Sequence, residues 1–130
     1  AHPLIARLID AGVDGHTPWL AMELIRGEHA VAFAQAHALP IAARLKLVED
    51  VAGAVDYAHR QLIVHRDIKP SNVLVDESGT PHLLDFGIAK LLEPGEATEL
   101  TASDMRVMSP MYAAPEQFRG EPITTATDVY

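Results

Sequence analysis

The octapeptide His65-Arg66-Asp67-Ile68-Lys69-Pro70-Ser71-Asn72 places more limits on this chain than any other stretch. It reads as a loop that puts an acid, a cation and an amide at fixed short offsets, just after a helix-like segment. What flanks that loop can be inferred from periodicity. Ile41, Leu45, Val48, Ala52, Val55 and Ala58 recur at helical spacing, which predicts one amphipathic helix over residues 40–60 with Pro40 in its first turn. After the loop, Val73-Leu74-Val75 and His82-Leu83-Leu84 flank Asp76-Glu77-Ser78-Gly79, the pattern of a β-hairpin.

The rest of the chain follows from turn formers. Leu4 to Asp10 and Trp19 to Ile25 are short apolar runs joined by Gly12-Val13-Asp14-Gly15-His16, which predicts a first hairpin. Gly27 breaks that pattern, and the Ala-rich residues 28–38 predict a short helix. Residues 91–110 show no period and are expected to form a mobile loop. Hairpin, two helices, two short strands and a long loop make an α+β order, not an alternating parallel one.

Composition narrows the class. The chain is 48% hydrophobic and 22% charged, so it can bury a core and is not of the disordered type. A net charge of −8 without a basic patch leaves no nucleic-acid footprint to expect. With no cysteine there is no disulfide frame and no thiolate metal site, which fits a reducing compartment. No apolar run nears the roughly 18 residues that suggest a bilayer span, and Gln35, His37 and Pro40 interrupt the Ala-rich stretch. Ala1 is not an initiator Met and Tyr130 follows an apparent helix start, so the chain is expected to be an internal piece of a longer protein.

Two more motifs join the octapeptide. Thirteen residues after Asn72 comes Asp85-Phe86-Gly87, and further on Ala114-Pro115-Glu116. In this order the three resemble the protein kinase signature set, specifically the Ser/Thr kinases of bacteria. The resemblance covers the chain from His2-Pro3 to Asp128-Val129-Tyr130. It implies a partial protein-kinase-like fold. Residues 1–25 would be the last strands of the first lobe and the start of the hinge, and residues 26–130 the front of the helical second lobe. The glycine-rich loop, the strand-three lysine and the helix-C glutamate would all precede Ala1, so this segment alone is expected to bind ATP poorly.

The resemblance also implies chemistry. Phosphoryl transfer needs Mg²⁺ to neutralise phosphate charge, a group to orient the attacking hydroxyl and a cation near the transferring phosphate. Asp67 would orient the hydroxyl, Lys69 would steady the phosphate, and Asn72 and Asp85 would hold the metal. Singly, such residues are ordinarily turn formers, caps or solvated side chains; it is the set that carries the inference. Lys69 marks Ser/Thr kinases, and Ala114-Pro115-Glu116 favours a protein substrate over a small molecule. The hinge would be Met22-Glu23-Leu24-Ile25: backbone groups of Glu23 and Ile25 would meet adenine, Met22 would guard the back pocket and Leu74 would form the floor. By composition alone that stretch is simply a buried strand.

Regulation is implied as well. Arg66 would pair with a phosphate on the loop of residues 85–116, where Thr98, Thr101 and Ser103 are candidate acceptors. Ser109 stands where most relatives carry a Thr that contacts the catalytic Asp and Lys. His65 would pack and hydrogen-bond, Glu116 would pair with an Arg beyond Tyr130, and Asp128 would tie down the catalytic-loop backbone. Leu4 and Met111 depart from the usual pattern without touching chemistry. The expected cofactors are ATP and Mg²⁺. The expected partners are proteins offering Ser or Thr, with self-association for autophosphorylation, in the cytoplasm. A non-catalytic pseudokinase scaffold and an inactive remnant remain the alternatives.

Overall fold

The computed structural model describes residues 1–85 and 109–130. Two small antiparallel sheets and four helices make up the described part, so the fold is α+β as the element order predicts. Strands β1 (Leu8–Asp14) and β2 (Thr17–Met22) form the first sheet. Strands β3 (Gly27–His29), β4 (Val73–Asp76) and β5 (Pro81–Leu83) form the second, in the order β3-β4-β5. The helices are α1 (Ala30–Ala36), α2 (Ile41–Arg60), α3 (Pro115–Arg119) and α4 (Thr125–Val129).

The first hairpin is displaced from its expected place. Asp14 pairs with Thr17 and Gly12 with Trp19, so the turn is only Gly15-His16, with Gly15 at φ 61°. Gly12, Val13 and Asp14 look like linker residues but lie inside β1, because pairing to β2 satisfies their backbone. Ile25 falls outside the strand.

Gly27 is also not a break. It opens β3 and pairs with Asp76. A Cβ there would run into the carbonyl of Val75, so the strands approach more closely than any side chain allows. Helix α1 is correspondingly shorter than residues 28–38, because Glu28 and His29 pair with Val75 and Leu74 before the helix begins.

Helix α2 runs almost as predicted, with Pro40 as its N-cap instead of its first-turn residue. Its buried face is rotated, however. Ala54, Val55 and Ala58 are buried and Leu47 and Val51 half-buried, while Ile41, Leu45 and Val48 are exposed. Two apolar stripes run side by side along this helix, and Ala54 joins Val55 on the one that meets the second sheet. The core there is Val55, Val73 and fully buried Leu83, with Ala30, Val51 and Ile68 packed against it. Burying a side chain the size of Leu83 contributes roughly 1.5–3 kcal/mol.

The β4–β5 hairpin matches its expected place, and its turn is built on one carboxylate. Asp76 accepts from the Ser78 N–H at 2.9 Å, the Ser78 hydroxyl at 2.6 Å, the Thr80 N–H at 3.0 Å and His82 at 2.9 Å. The Ser78 hydroxyl, His82 and the Thr80 N–H hold this carboxyl well below the usual carboxylate range. The start of the chain then stitches onto β5: Leu83 N–H donates to Leu4 C=O at 2.8 Å, and Ala6 N–H to Leu83 C=O at 3.0 Å.

Gly27→Ala tests the close approach of β3 to β4. It is expected to lower unfolding stability by about 1–3 kcal/mol, the usual cost of overpacking, measured by denaturant titration. An unchanged midpoint would mean that the strands have room for a methyl group.

Candidate catalytic loop and its supports

Residues 62–72 form no regular ladder, so their backbone groups need side-chain partners. Asp128 on α4 supplies the first. Its Oδ2 accepts from the His65 N–H at 2.7 Å, and its Oδ1 from the Arg66 N–H at 2.8 Å. His59 Nε2, from the last turn of α2, donates to Oδ2 at 2.7 Å. The Asp128 side chain is only 1% exposed, so these donors replace water around a buried charge. Asp128 thus ties down the loop backbone as expected.

His65 supplies the second. Its Nδ1 accepts from the Asp67 N–H at 3.1 Å, and its Nε2 lies 2.8 Å from Leu84 C=O. A backbone N–H only donates and a carbonyl only accepts, so Nδ1 is bare and Nε2 carries the proton. The ring is therefore neutral. It is almost fully buried, and burial pushes its pKa below the ordinary histidine value. His65 packs and hydrogen-bonds, as its sequence context implies.

Arg66 lies between these anchors at φ 74°, in the left-handed region that non-glycine residues avoid. Such a conformation costs on the order of 1–3 kcal/mol and persists only where the surroundings impose it. Its N–H is held by Asp128, and its C=O accepts from Gln117 Nε2 at 2.8 Å.

The turned loop gathers four of the candidate residues. Lys69 Nζ lies 3.2 Å from Asp67 Oδ2. Asn72 Nδ2 donates to Asp67 Oδ2 at 3.1 Å and to Asp67 C=O at 2.8 Å. Lys69 Nζ also donates to the Ser109 hydroxyl. Pro70 opens a 3₁₀ turn over Pro70–Asn72 that brings Asn72 back under Asp67. Asp67 and Lys69 keep about a quarter of their side chains exposed, so a substrate could reach both.

The backbone just before Asp85 is tied to Asn72. Leu84 N–H donates to Asn72 C=O at 2.8 Å, and Asp85 follows at φ 59°. The Asn72 amide nitrogen is committed to Asp67, which leaves its oxygen as the end available to a cation. Among the described residues no cluster of three or more His, Asp or Glu forms a metal site. Mg²⁺ does not need one, since it takes one or two protein oxygens together with substrate phosphates. Asn72 and Asp85 fit that donor set.

Other candidates have partners of their own. Met22 ends β2 opposite Leu8. Glu23 clamps Arg7: its N–H donates to Arg7 C=O at 3.0 Å, and its Oε1 accepts from Arg7 N–H at 2.9 Å. Ile25 is half-buried beyond the strand, and Leu74 is half-buried in β4 between His29 and His82. Among the described residues no hydrogen bond links Met22, Glu23, Ile25 or Leu74 to Asp67, Lys69, Asn72 or Ser109. Thr98, Thr101 and Ser103 lie outside the described residues, as do Phe86, Gly87 and most of residues 91–110. Glu116 accepts from the Thr127 hydroxyl at 2.7 Å, which holds its carboxyl below the usual range.

Sequence reasoning did not single out His59, Gln117 or Thr127. His59 had one available signal, its place six residues before His65 at the end of a predicted helix. Gln117 sits at the third helical position after Ala114, a place where a Gln side chain reaches back to the N-cap.

The sequence matches the protein kinase domain family over residues 1–130, and the chain belongs to that family. It is 42% identical over 135 residues to the serine/threonine-protein kinase PkaA of Streptomyces coelicolor, covering 99% of this chain and 24% of that protein. It is 34% identical over 132 residues to the serine/threonine-protein kinase pkn2 of Myxococcus xanthus, covering 99% of this chain and 16% of that protein. With PrkC of Bacillus subtilis it shares 35% over 130 residues, 99% of this chain and 20% of the relative. The chain thus spans a quarter or less of these three relatives. Among the described residues no helix is long and apolar enough to cross a membrane.

The neutral His65 ring has a pH signature. Because the fold disfavours its charged form, the unfolded chain binds this proton more readily. Its stabilisation is complete above the ordinary histidine value of 6.5 and declines as pH falls below it. Thermal unfolding scanned from about pH 8 to 5 is expected to show that acid limb, and His65→Asn is expected to flatten it. Equal slopes in the two proteins would contradict a ring held neutral.

Proposed function

We propose that this chain is the catalytic-loop segment of a Ser/Thr protein kinase that transfers the γ-phosphoryl group of ATP to Ser or Thr hydroxyls of proteins. The observation that carries this reading is the hydrogen-bonded group of Asp67, Lys69, Asn72 and Ser109. Asp67 accepts a hydrogen bond from the substrate hydroxyl and holds its oxygen in line with the phosphorus. Lys69, held between Asp67 and Ser109, places its ammonium against the oxygens of the group in flight. Asn72 grips Asp67 with its amide nitrogen and turns its oxygen, with the Asp85 carboxylate, to Mg²⁺. When bound, the metal neutralises phosphate charge.

The finer parts of the reading rest on the family. Residues 1–25 belong to the first lobe and hinge, and residues 26–130 to the second lobe. Backbone groups of Glu23 and Ile25 meet adenine, with Met22 behind it and Leu74 beneath. A phosphate on Thr98, Thr101 or Ser103, delivered by a second copy of the protein, pairs with Arg66 and raises activity. The domain works in the cytoplasm, where ATP is at hand.

Asp67→Asn and Asp85→Asn test the assignment in the complete protein, with labelled ATP and a Ser-containing peptide. Asp67→Asn is expected to lower kcat by roughly 10²–10⁴-fold. Asp85→Asn is expected to abolish transfer while the thermal midpoint is retained. Near-normal turnover in Asp85→Asn would sink the assignment.

A further inference from the structure

The peptide plane between Arg66 and Asp67 is clamped at both ends by side chains. Its N–H, from Asp67, donates to His65 Nδ1 at 3.1 Å. Its C=O, from Arg66, accepts from Gln117 Nε2 at 2.8 Å. A peptide is planar, so these two bonds together set the rotation of the whole unit. That rotation decides where the Cα of Asp67 aims its carboxylate.

Gln117 is itself held. Its Oε1 accepts from the Ala114 N–H at 2.9 Å, which closes the first turn of α3 and presents Nε2 to the loop. Eight residues before Gln117 stands Ser109, whose hydroxyl accepts from Lys69. Residues 109–119 therefore grip the octapeptide at two points, one on each side of Asp67. His65 lies within the octapeptide, whereas Gln117 reaches it from 51 residues away. Without Gln117, the left-handed Arg66 loses its carbonyl partner and keeps the Asp128 bond to its N–H.

We infer that Gln117 is a positioning residue for Asp67, acting through the Arg66 carbonyl. The inference rests on the kinase reading given above, and it ties the orientation of Asp67 to the placement of residues 109–119.

Gln117→Glu separates the two bonds. A carboxylate still accepts from the Ala114 N–H, but it has no proton for the Arg66 carbonyl and repels it. Gln117→Leu removes both bonds and carries the same comparison if the first variant fails to fold. In the complete protein, each folded variant is expected to lower kcat by about ten- to hundred-fold, the cost of a misplaced reacting group. KM for ATP and for a Ser-containing peptide should stay within about two-fold of the parent. A kcat close to the parent's, or a rise in KM alone, would overturn the inference.

Amide exchange of Asp67 needs no turnover. Faster exchange in the variants supports the clamp, and unchanged exchange overturns it. If the parent itself transfers no phosphate, the kinase reading fails, and exchange alone decides the role of Gln117.

Discussion

The buried carboxylate of Asp128 is the interaction on which the loop depends. It takes the N–H groups of His65 and Arg66 from 63 and 62 residues away, and the His59 ring as well. Each of those backbone donors, left without a partner in a buried place, would cost about 1–3 kcal/mol. With them satisfied, Arg66 can stay in its left-handed conformation and the chain reverses at Asp67. The reversal is what lets Asp67, Lys69 and Asn72 share hydrogen bonds. Through His65 the same anchor reaches Leu84, next to Asp85.

The loop is thus built by side chains doing what strands and helices do elsewhere. Asp128, His65, Asn72 and Gln117 are all spent partly or wholly on backbone groups. The loop also divides labour. Asp67, Lys69 and Ser109 keep part of their surface open, while His65 is buried and spent on the backbone.

How much of this was legible in the sequence depended on how local the signal was. Helix α2 and the β4–β5 hairpin were legible because their period and turn residues lie within a few positions. The octapeptide was legible because its chemistry is contiguous. The buried face of α2 was not, since Leu45 and Leu47 offer two stripes and only the second sheet selects between them. Strand β3 was hidden because Gly27 needs Asp76 to become a strand residue. Gln117 and His59 were hidden for a similar reason: each acts through one long-range hydrogen bond, and no periodicity marks such a bond. Roles for Thr98, Thr101 and Ser103 came from the resemblance alone.

The bond pair between Leu83 and the residues around Ile5 bears on how the protein folds. Leu83 lies two residues before Asp85, yet part of its backbone pairing comes from the first few residues of the chain. Joining such distant segments costs closure entropy before any contact repays it. Helix α2, rich in local bonds, can form early. The strand leading to Asp85 gains its outer partner only in a slow, long-range step. During synthesis, residues 4–6 leave the ribosome long before Leu83 and stay without this partner until it emerges. The backbone pairing just before Asp85 therefore closes only once Leu83 has emerged.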